Sequence, residues 1–350
     1  MEKFRFLTSG ESHGKCLTAI IEGVPSGLEI DIDFINSELH RRQQGYGRGD
    51  RMKLESDTVE IISGVRFGKT IGSPITLLVK NRDFENWQKV MSVSPNDQTD
   101  DKAFSVYRPG HADYAGSLKY NQQDLRNILE RSSARKTAIE VAVGAVAKLI
   151  LKQIGITGSS EVTQIGAACC PDKFHQEIDL TREKGDSIGG KFVVIYKNIP
   201  VGLGSHVHWD RGIDGRLAQA VMSIPAIKAV EIGDNPLGLC GSEYHDEFEI
   251  KDGEICRTSN HAGGIEGGMT NGQDLVISAV MKPIPTMMKP LESIDLKTNQ
   301  KAQAHYERSD VCAVESCAVV AEARVAWVIA NEILLKYGSD SIKELKSRVL

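Results

Sequence analysis

Leu17-Thr18-Ala19-Ile20-Ile21-Glu22-Gly23-Val24-Pro25-Ser26-Gly27-Leu28 is a β-rich run that ends in a Pro-Gly loop. Half a chain length later the pattern returns as Lys191-Phe192-Val193-Val194-Ile195-Tyr196-Lys197-Asn198, followed by Ile199-Pro200-Val201-Gly202-Leu203. After each loop comes a helical pattern (33–42; 214–223), and then Val-Glu-Ile (Val59-Glu60-Ile61; Val230-Glu231-Ile232). An apolar strand follows (74–80; 274–281), and a long helix closes each half (122–153; 310–336). Elements recurring in one order point to an internal duplication, with halves of about 1–155 and 185–340.

The helical stretch 134–153 says how the halves meet. Ala138, Ala142, Ala145 and Leu149 line one face, while Ile139, Val143, Val146 and Ile150 line another. A helix apolar nearly all round must be covered on both sides. The second long helix, with Val314, Ala318, Ala321, Val325, Val328 and Leu335, has the same character. The expected fold is therefore α+β: a single pseudo-symmetric β-α-β sandwich domain over residues 1–350, with central buried helices between antiparallel sheets.

Composition limits the function. The chain is 41% hydrophobic and 25% charged, enough to bury a sizeable core. A net charge of −5 argues against a general nucleic-acid binder, which is usually basic. The first eight residues lack the apolar segment of a secretory signal. The apolar stretches 138–154 and 311–335 carry Lys148, Lys152, Glu315, Glu322, Arg324 and Glu332, so neither reads as a membrane span. Seven cysteines, without a Cys-x-x-Cys pair, read as reduced thiols of a cytoplasmic protein. No metal is expected: His206 and His208 alternate as on a strand, without cysteine or acidic ligands nearby.

Four segments concentrate chemistry. The first is His40-Arg41-Arg42-Gln43-Gln44-Gly45-Tyr46-Gly47-Arg48-Gly49-Asp50-Arg51-Met52-Lys53. Its glycines allow close backbone approach, and planar guanidinium forks grip phosphate or carboxylate in pairs of hydrogen bonds. A solvated loop or an RNA-binding Arg-Gly segment would look similar. The second, Arg108-Pro109-Gly110-His111-Ala112-Asp113, puts a histidine on a tight turn, where it is either structural or a proton carrier near neutral pH. The third, Gly10-Glu11-Ser12-His13-Gly14, places a second histidine directly before the first strand pattern. Covalent serine catalysis is a weak reading there, because no Gly-x-Ser-x-Gly elbow exists and neighbours on an extended chain face opposite ways. The fourth, Arg131-Ser132-Ser133-Ala134-Arg135-Lys136, opens the buried helix with hydroxyls and arginines that suit N-capping, anion binding or both. Asn260-His261-Ala262-Gly263-Gly264-Ile265-Glu266-Gly267-Gly268-Met269 and Lys282-Pro283-Ile284-Pro285-Thr286 match neither a Rossmann nor a Walker motif, and read as flexible cradles or bare turns.

Taken together, these segments, with Asp186-Ser187-Ile188-Gly189-Gly190 and Arg308-Ser309-Asp310, resemble the chorismate synthase family, whose motifs occur in this order from about Phe6 to Lys336. The resemblance implies that family's fold in a homotetramer. It implies conversion of 5-enolpyruvylshikimate 3-phosphate to chorismate by 1,4-elimination of phosphate, with reduced FMN required and no net redox change. It further implies that His13 protonates the departing phosphate and that His111 keeps the reduced flavin in its reactive protonation state. Asp310, helped by Ser12, would manage the proton delivered to the flavin. Arg42, Arg48, Arg51 and Arg135 would grip substrate anions, with Arg42 and Arg48 also the positions where some members hold NADP. Arg131, Ser132, Ser133, Pro225, Ala226, Gly267, Lys282, Pro283, Ile284, Pro285, Thr286 and Arg308 would surround the flavin.

This chain departs from the family's usual pattern at Lys136, where Glu is common, and at Pro225, where Asn is frequent. Glu315-Ser316-Cys317 stands where Pro-Ala-Ala is common, and the stretch 158–186 is short. Two rival readings follow: an NADPH-dependent flavin reductase using the same pocket, alone or in addition, and an RNA-binding protein using the Gly-Arg loop.

Overall fold

A computed structural model describes residues 3–49, 56–306 and 309–350. Two four-stranded antiparallel sheets carry the architecture. The first holds β1 (Arg5–Ser9), β2 (Cys16–Glu22), β3 (Val59–Ser63) and β4 (Ile75–Lys80), in the order β1-β2-β4-β3. The second holds β5 (Thr157–Ile165), β6 (Gly190–Lys197), β7 (Ile227–Ile232) and β8 (Leu275–Met281), in the order β5-β6-β8-β7. The two sheets thus share one topology.

The likeness extends to single hydrogen bonds. In the first half Thr70 Oγ1 donates to the Pro25 carbonyl at 2.7 Å and accepts the Leu28 amide at 2.9 Å. In the second, Thr270 Oγ1 donates to the Pro200 carbonyl at 2.7 Å and accepts the Leu203 amide at 2.9 Å. Each threonine ends a tight hairpin, Val65–Arg66 with Lys69–Thr70 and Ile265–Glu266 with Met269–Thr270. The two Pro-Gly loops are therefore the same device, a strand exit pinned by a hairpin threonine.

The longer helices are α1 (Ile32–Gln43), α2 (Asp113–Tyr120), α3 (Arg126–Ser132), α4 (Thr137–Lys152), α5 (Phe174–Glu183), α6 (Ile213–Met222), α7 (Val314–Tyr337) and α8 (Ile342–Val349), and α4 and α7 form the layer between the sheets. The α4 helix packs on β2 and β4, α7 on β5 and β6, and α4 and α7 pack most extensively on each other. One apolar core takes in residues of both halves, from Phe4 to Leu345. The expected α+β sandwich with buried central helices is what the chain forms.

Two local expectations need correction. The long helix expected over 122–153 is broken. Ser133 is extended (φ −62°, ψ 142°) and caps a single 3-10 turn, Ala134–Lys136, so that α3 and α4 are separate helices. His206 and His208 lie in a loop, not on a strand, and His208 does have an acidic neighbour, with Nδ1 2.6 Å from Asp210.

The central crossing is very close. A Cβ on Gly144 of α4 would lie 2.4 Å from the Cβ of Ala323 in α7 and 2.6 Å from its carbonyl oxygen. Beside it sits a buried ionic cluster. Arg41 holds the Glu322 carboxylate with both guanidinium nitrogens, at 2.9 and 3.2 Å, and Lys148 bridges Glu322 to Glu38. Ser160 Oγ donates to Glu322 at 2.7 Å. Burial alone would raise the Glu322 carboxyl, but the bonds from Arg41 and the Lys148 charge outweigh it and hold the group below its ordinary range.

Gly144→Ala is expected to cost roughly 1–3 kcal/mol through overpacking, even though Ala is the better helix former. Denaturant unfolding of the two proteins measures this, and a stabilised variant would mean that the helices part without penalty.

Candidate active site

Three groups of sequence-identified residues converge near the starts of the two central helices. The turn carrying Ser12 and His13 is held from the end of α3. The Glu130 carboxylate meets the His13 Nδ1 at 2.8 Å and accepts the His13 amide at 2.8 Å, while the Glu130 carbonyl accepts the Ser12 amide at 2.9 Å. Arg131 donates to the carbonyls of Gly10 and Thr8 at 2.8 and 2.9 Å. Asn81 Nδ2 donates to the Gly14 carbonyl at 3.0 Å. The His13 ring is buried and stacks on Trp87, with centroids 3.7 Å apart and planes 24° apart.

The second group links α1 to the start of α4. Arg42 Nε donates to Thr137 Oγ1 at 2.9 Å, and Arg42 NH2 donates to the Ala134 carbonyl at 3.1 Å. Arg135 forms a fork-to-fork pair with Asp57 at 2.5 and 2.8 Å. Arg42 lies 3.9 Å from the same carboxylate, so one aspartate serves two buried guanidiniums. Ser133 Oγ accepts the Arg135 amide at 3.3 Å, whereas Ser132 Oγ turns back to the Ile128 carbonyl at 2.7 Å.

The third group surrounds the entry to α7. Gly49 N–H donates to Asp310 Oδ1 at 2.7 Å, and Arg48 NH1 lies 3.3 Å from Asp310 Oδ2. Arg48 Nε is buried with no hydrogen-bond partner among the described residues. The glycine-rich loop is clamped rather than displayed. Tyr46 stacks on His175 of α5 with centroids 4.0 Å apart, its hydroxyl donates to Asp179 at 2.9 Å, and its amide donates to Glu315 at 3.1 Å. Gly47 (φ 88°) fits between Ile178 and Cys312, where a Cβ would meet the Ile178 side chain at 2.8 Å.

His111 lies on a first-half turn that is tied to the 282–286 turn of the second half. Its turn closes through the His111 amide and the Arg108 carbonyl at 3.1 Å, and Lys282 Nζ donates to the Gly110 carbonyl at 2.5 Å. The 282–286 turn is pinned in turn: Lys282 N–H donates to the Ala226 carbonyl, Ser187 Oγ to that of Ile284 and Ser309 Oγ to that of Thr286. Ala226, beside Pro225, sits at φ 73°, a left-handed conformation that costs an L-residue energy and concentrates at functional sites.

Asp113 is wholly buried and binds both Arg108, at 2.7 and 2.8 Å, and His111 Nδ1, at 2.9 Å. Burial pushes its carboxyl up, yet the bonds from Arg108 and His111 outweigh this and hold it well below the ordinary value of 3.8.

Among the described residues Ser12 and Asp310 do not bond each other, and His13 and His111 are bonded to different carboxylates, Glu130 and Asp113. Gly267 (φ 56°) and Gly268 (φ 74°) form a hairpin tip whose first-half counterpart is Phe67 (φ 51°) with Gly68 (φ 75°). That turn accounts for the conformation of Gly267 without a ligand. Arg51 and Arg308 lie outside the described residues. Sequence reading missed Glu130, Asp57 and Trp87, the groups that orient His13 and the arginines.

The sequence profile of the chorismate synthase family matches residues 4–334. The chain is 55% identical over 348 residues to the chorismate synthase of Thermoanaerobacter pseudethanolicus, covering 98% of this chain and 96% of the relative. It is 49% identical to that of Aquifex aeolicus, with the same coverage of each chain. A solved structure described as a chorismate synthase crystal structure superposes with a TM-score of 0.80 at 42% identity, covering 99% of this chain and 96% of the other.

The carboxylate of Asp113 yields a pH prediction. A carboxyl depressed in the folded state adds stability that is complete above its ordinary value and is lost as pH falls through the folded value. Asp113→Asn should cost roughly 3–5 kcal/mol at neutral pH, because Arg108 is left buried and unpaired. The gap between the two proteins should close only below about pH 4. Unfolding midpoints across pH measure it, and a gap that closed on the alkaline side instead would refute this assignment.

Proposed function

The chain belongs to the chorismate synthase family, and from that premise we propose how its residues divide the reaction. The enzyme is a carbon–oxygen lyase that converts 5-enolpyruvylshikimate 3-phosphate to chorismate and phosphate by 1,4-anti-elimination, the last common step of the shikimate pathway. The family's reaction calls for a reduced flavin. We take reduced FMN as the form used here.

Arg48 carries the reading. It is a largely buried arginine with an orphaned Nε, on a loop wedged against the entry to α7 and beside Asp310. Buried donors without partners are rare, and a phosphate or carboxylate oxygen would satisfy this one. Two helix starts and the guanidiniums of Arg42 and Arg135 add positive potential for a substrate bearing a phosphate and two carboxylates. Arg51 belongs to the same set by sequence. Arg42 is buried against Thr137 and Ala134, which suits a fixed substrate pocket better than an NADPH site, so we favour an outside source of reduced flavin.

The residues proposed to hold the flavin fit it chemically. Pro285 offers apolar surface and Lys282 a cation beside Gly110, Arg131 and Ser132 hold the Thr8, Gly10 and Ile128 carbonyls behind them, and Pro283, Ile284, Ser133 and Arg308 join the set by sequence. Pro225, Ala226, Gly267 and Thr286 complete the set by sequence. When bound, the reduced flavin supplies the electron-rich partner that side chains lack. His111, its Nδ1 2.9 Å from both Asp113 Oδ1 and the Arg108 guanidinium, would present Nε2 to hold a proton at the cofactor. His13 would give a proton to the leaving phosphate, and Asp310 with Ser12 would handle the proton lost from the substrate ring.

Clamping of the Gly-Arg loop by Tyr46 weighs against an RNA-binding role. Exposed Leu7 and Ile20, directly opposite each other on β1 and β2, with Ile62 on β3, give the first sheet an apolar outer face that would suit the proposed homotetramer. All seven cysteines are unpaired, as a cytoplasmic setting would leave them. Matching Thr70 and Thr270 bonds support the proposed duplication of about 1–155 and 185–340.

His13→Ala and His111→Ala should each lower turnover by roughly 10²–10⁴-fold while the fold persists. Arg48→Ala should mainly raise KM, a lost charge-assisted contact being worth about 1.5–3 kcal/mol. Steady-state kinetics with reduced FMN checks all three, and near-normal turnover in both histidine variants would overturn the assignment.

A further inference from the structure

His13 is held by more than burial. One Glu130 carboxylate oxygen lies 2.8 Å from its Nδ1, and the other accepts its backbone N–H at 2.8 Å. The Glu130 carbonyl binds the preceding amide of Ser12, so a single residue fixes the backbone, the ring and the neighbour. Trp87 stacks on the ring and removes its freedom to flip, and Lys102 Nζ lies 3.7 Å from the Trp87 ring centroid. Glu130 is itself immobile. It sits in the last turn of α3, buried, with Arg126 NH1 3.8 Å from its Oε1, and the next residue, Arg131, ties the same turn to Thr8 and Gly10. Both carboxylate oxygens bond His13, one at the ring and one at the backbone, with Arg126 beside Oε1 as a counter-charge.

We propose that Glu130 is the positioning residue of the reaction, fixing His13 with its proton on Nδ1 so that Nε2 is the nitrogen that serves the phosphate; this rests on the assignment of His13 above. An ionised carboxylate only accepts, so the ring nitrogen bonded to it carries the proton. The same logic orients histidines that work beside a buried carboxylate elsewhere. In the elimination, the carbon–oxygen bond to phosphate breaks with its electron pair going to oxygen, and that oxygen takes the proton from His13 Nε2. The ring is left neutral, with its remaining proton still on Nδ1 and bonded to Glu130. A neutral, misoriented tautomer would instead carry its only proton on Nε2 and turn a lone pair toward Glu130.

The test pairs a proton map with kinetics. Neutron diffraction of the whole enzyme, at a pD where the imidazole is neutral, should show deuterium on His13 Nδ1 and none on Nε2. Glu130→Gln keeps an acceptor for the backbone N–H and preserves shape, so it should fold. It should lose this single tautomer and lower kcat by about 10–100-fold, with KM nearly unchanged. Deuterium on Nε2 alone in the unmodified enzyme would overturn the proposal, as would a Gln variant with altered tautomer and full kcat. If Glu130→Gln fails to fold, the proton map of the unmodified enzyme still decides. Failure of the underlying reading looks different: His13→Ala would keep its turnover although the map of the unmodified enzyme still showed deuterium on Nδ1.

Discussion

The contact between α4 and α7 at Gly144 and Ala323 sets the rest of this molecule. Both helices are apolar on nearly every side, so each must be covered by a sheet and by the other helix. At the crossing there is no room for a side chain on α4. This close approach joins the two sheets through one core and fixes the spacing of the helix starts. The segments proposed to carry the chemistry are tied to those starts: Arg42 of α1 reaches Ala134 and Thr137 at the start of α4, and Gly49 reaches Asp310 before α7.

Such a site demands concentrated positive charge in a protein of net charge −5. The fold meets that demand by giving each buried cation a specific carboxylate: Asp57 for Arg135, Asp113 for Arg108, Glu322 for Arg41 and Lys148. Breaking one such buried pair costs several kcal/mol, which fixes the arginines before any ligand arrives. Pre-orientation of this kind is what lets an enzyme favour a developing charge without moving its own groups.

Much of this was legible in the chain. The Pro25 and Pro200 loops revealed two similar halves because each loop is a structural unit with its own threonine clasp. The alanine and β-branched faces of α4 revealed a helix covered all round. His13, His111 and Arg48 stood out only once their motifs were taken together, since each alone also fitted a structural or solvated loop. What escaped is what depends on distance along the chain. Glu130 meets His13 from 117 positions away, and Asp57 looks like any acid beside a strand. The break at Ser133 was hidden because apolar periodicity runs through it, although the paired serines carried the capping signal. Lys148 and Glu322 read as interruptions of apolar runs, yet in the folded chain they neutralise each other.

The central claim is that this scaffold eliminates phosphate with a reduced flavin that is not consumed. Anaerobic incubation with 5-enolpyruvylshikimate 3-phosphate and chemically reduced FMN, following phosphate, chorismate and flavin absorbance together, tests it most directly. The account predicts chorismate and phosphate in equal amounts, flavin still reduced at the end, and no product with oxidised FMN. Phosphate without chorismate, or equal turnover with no flavin present, would contradict it.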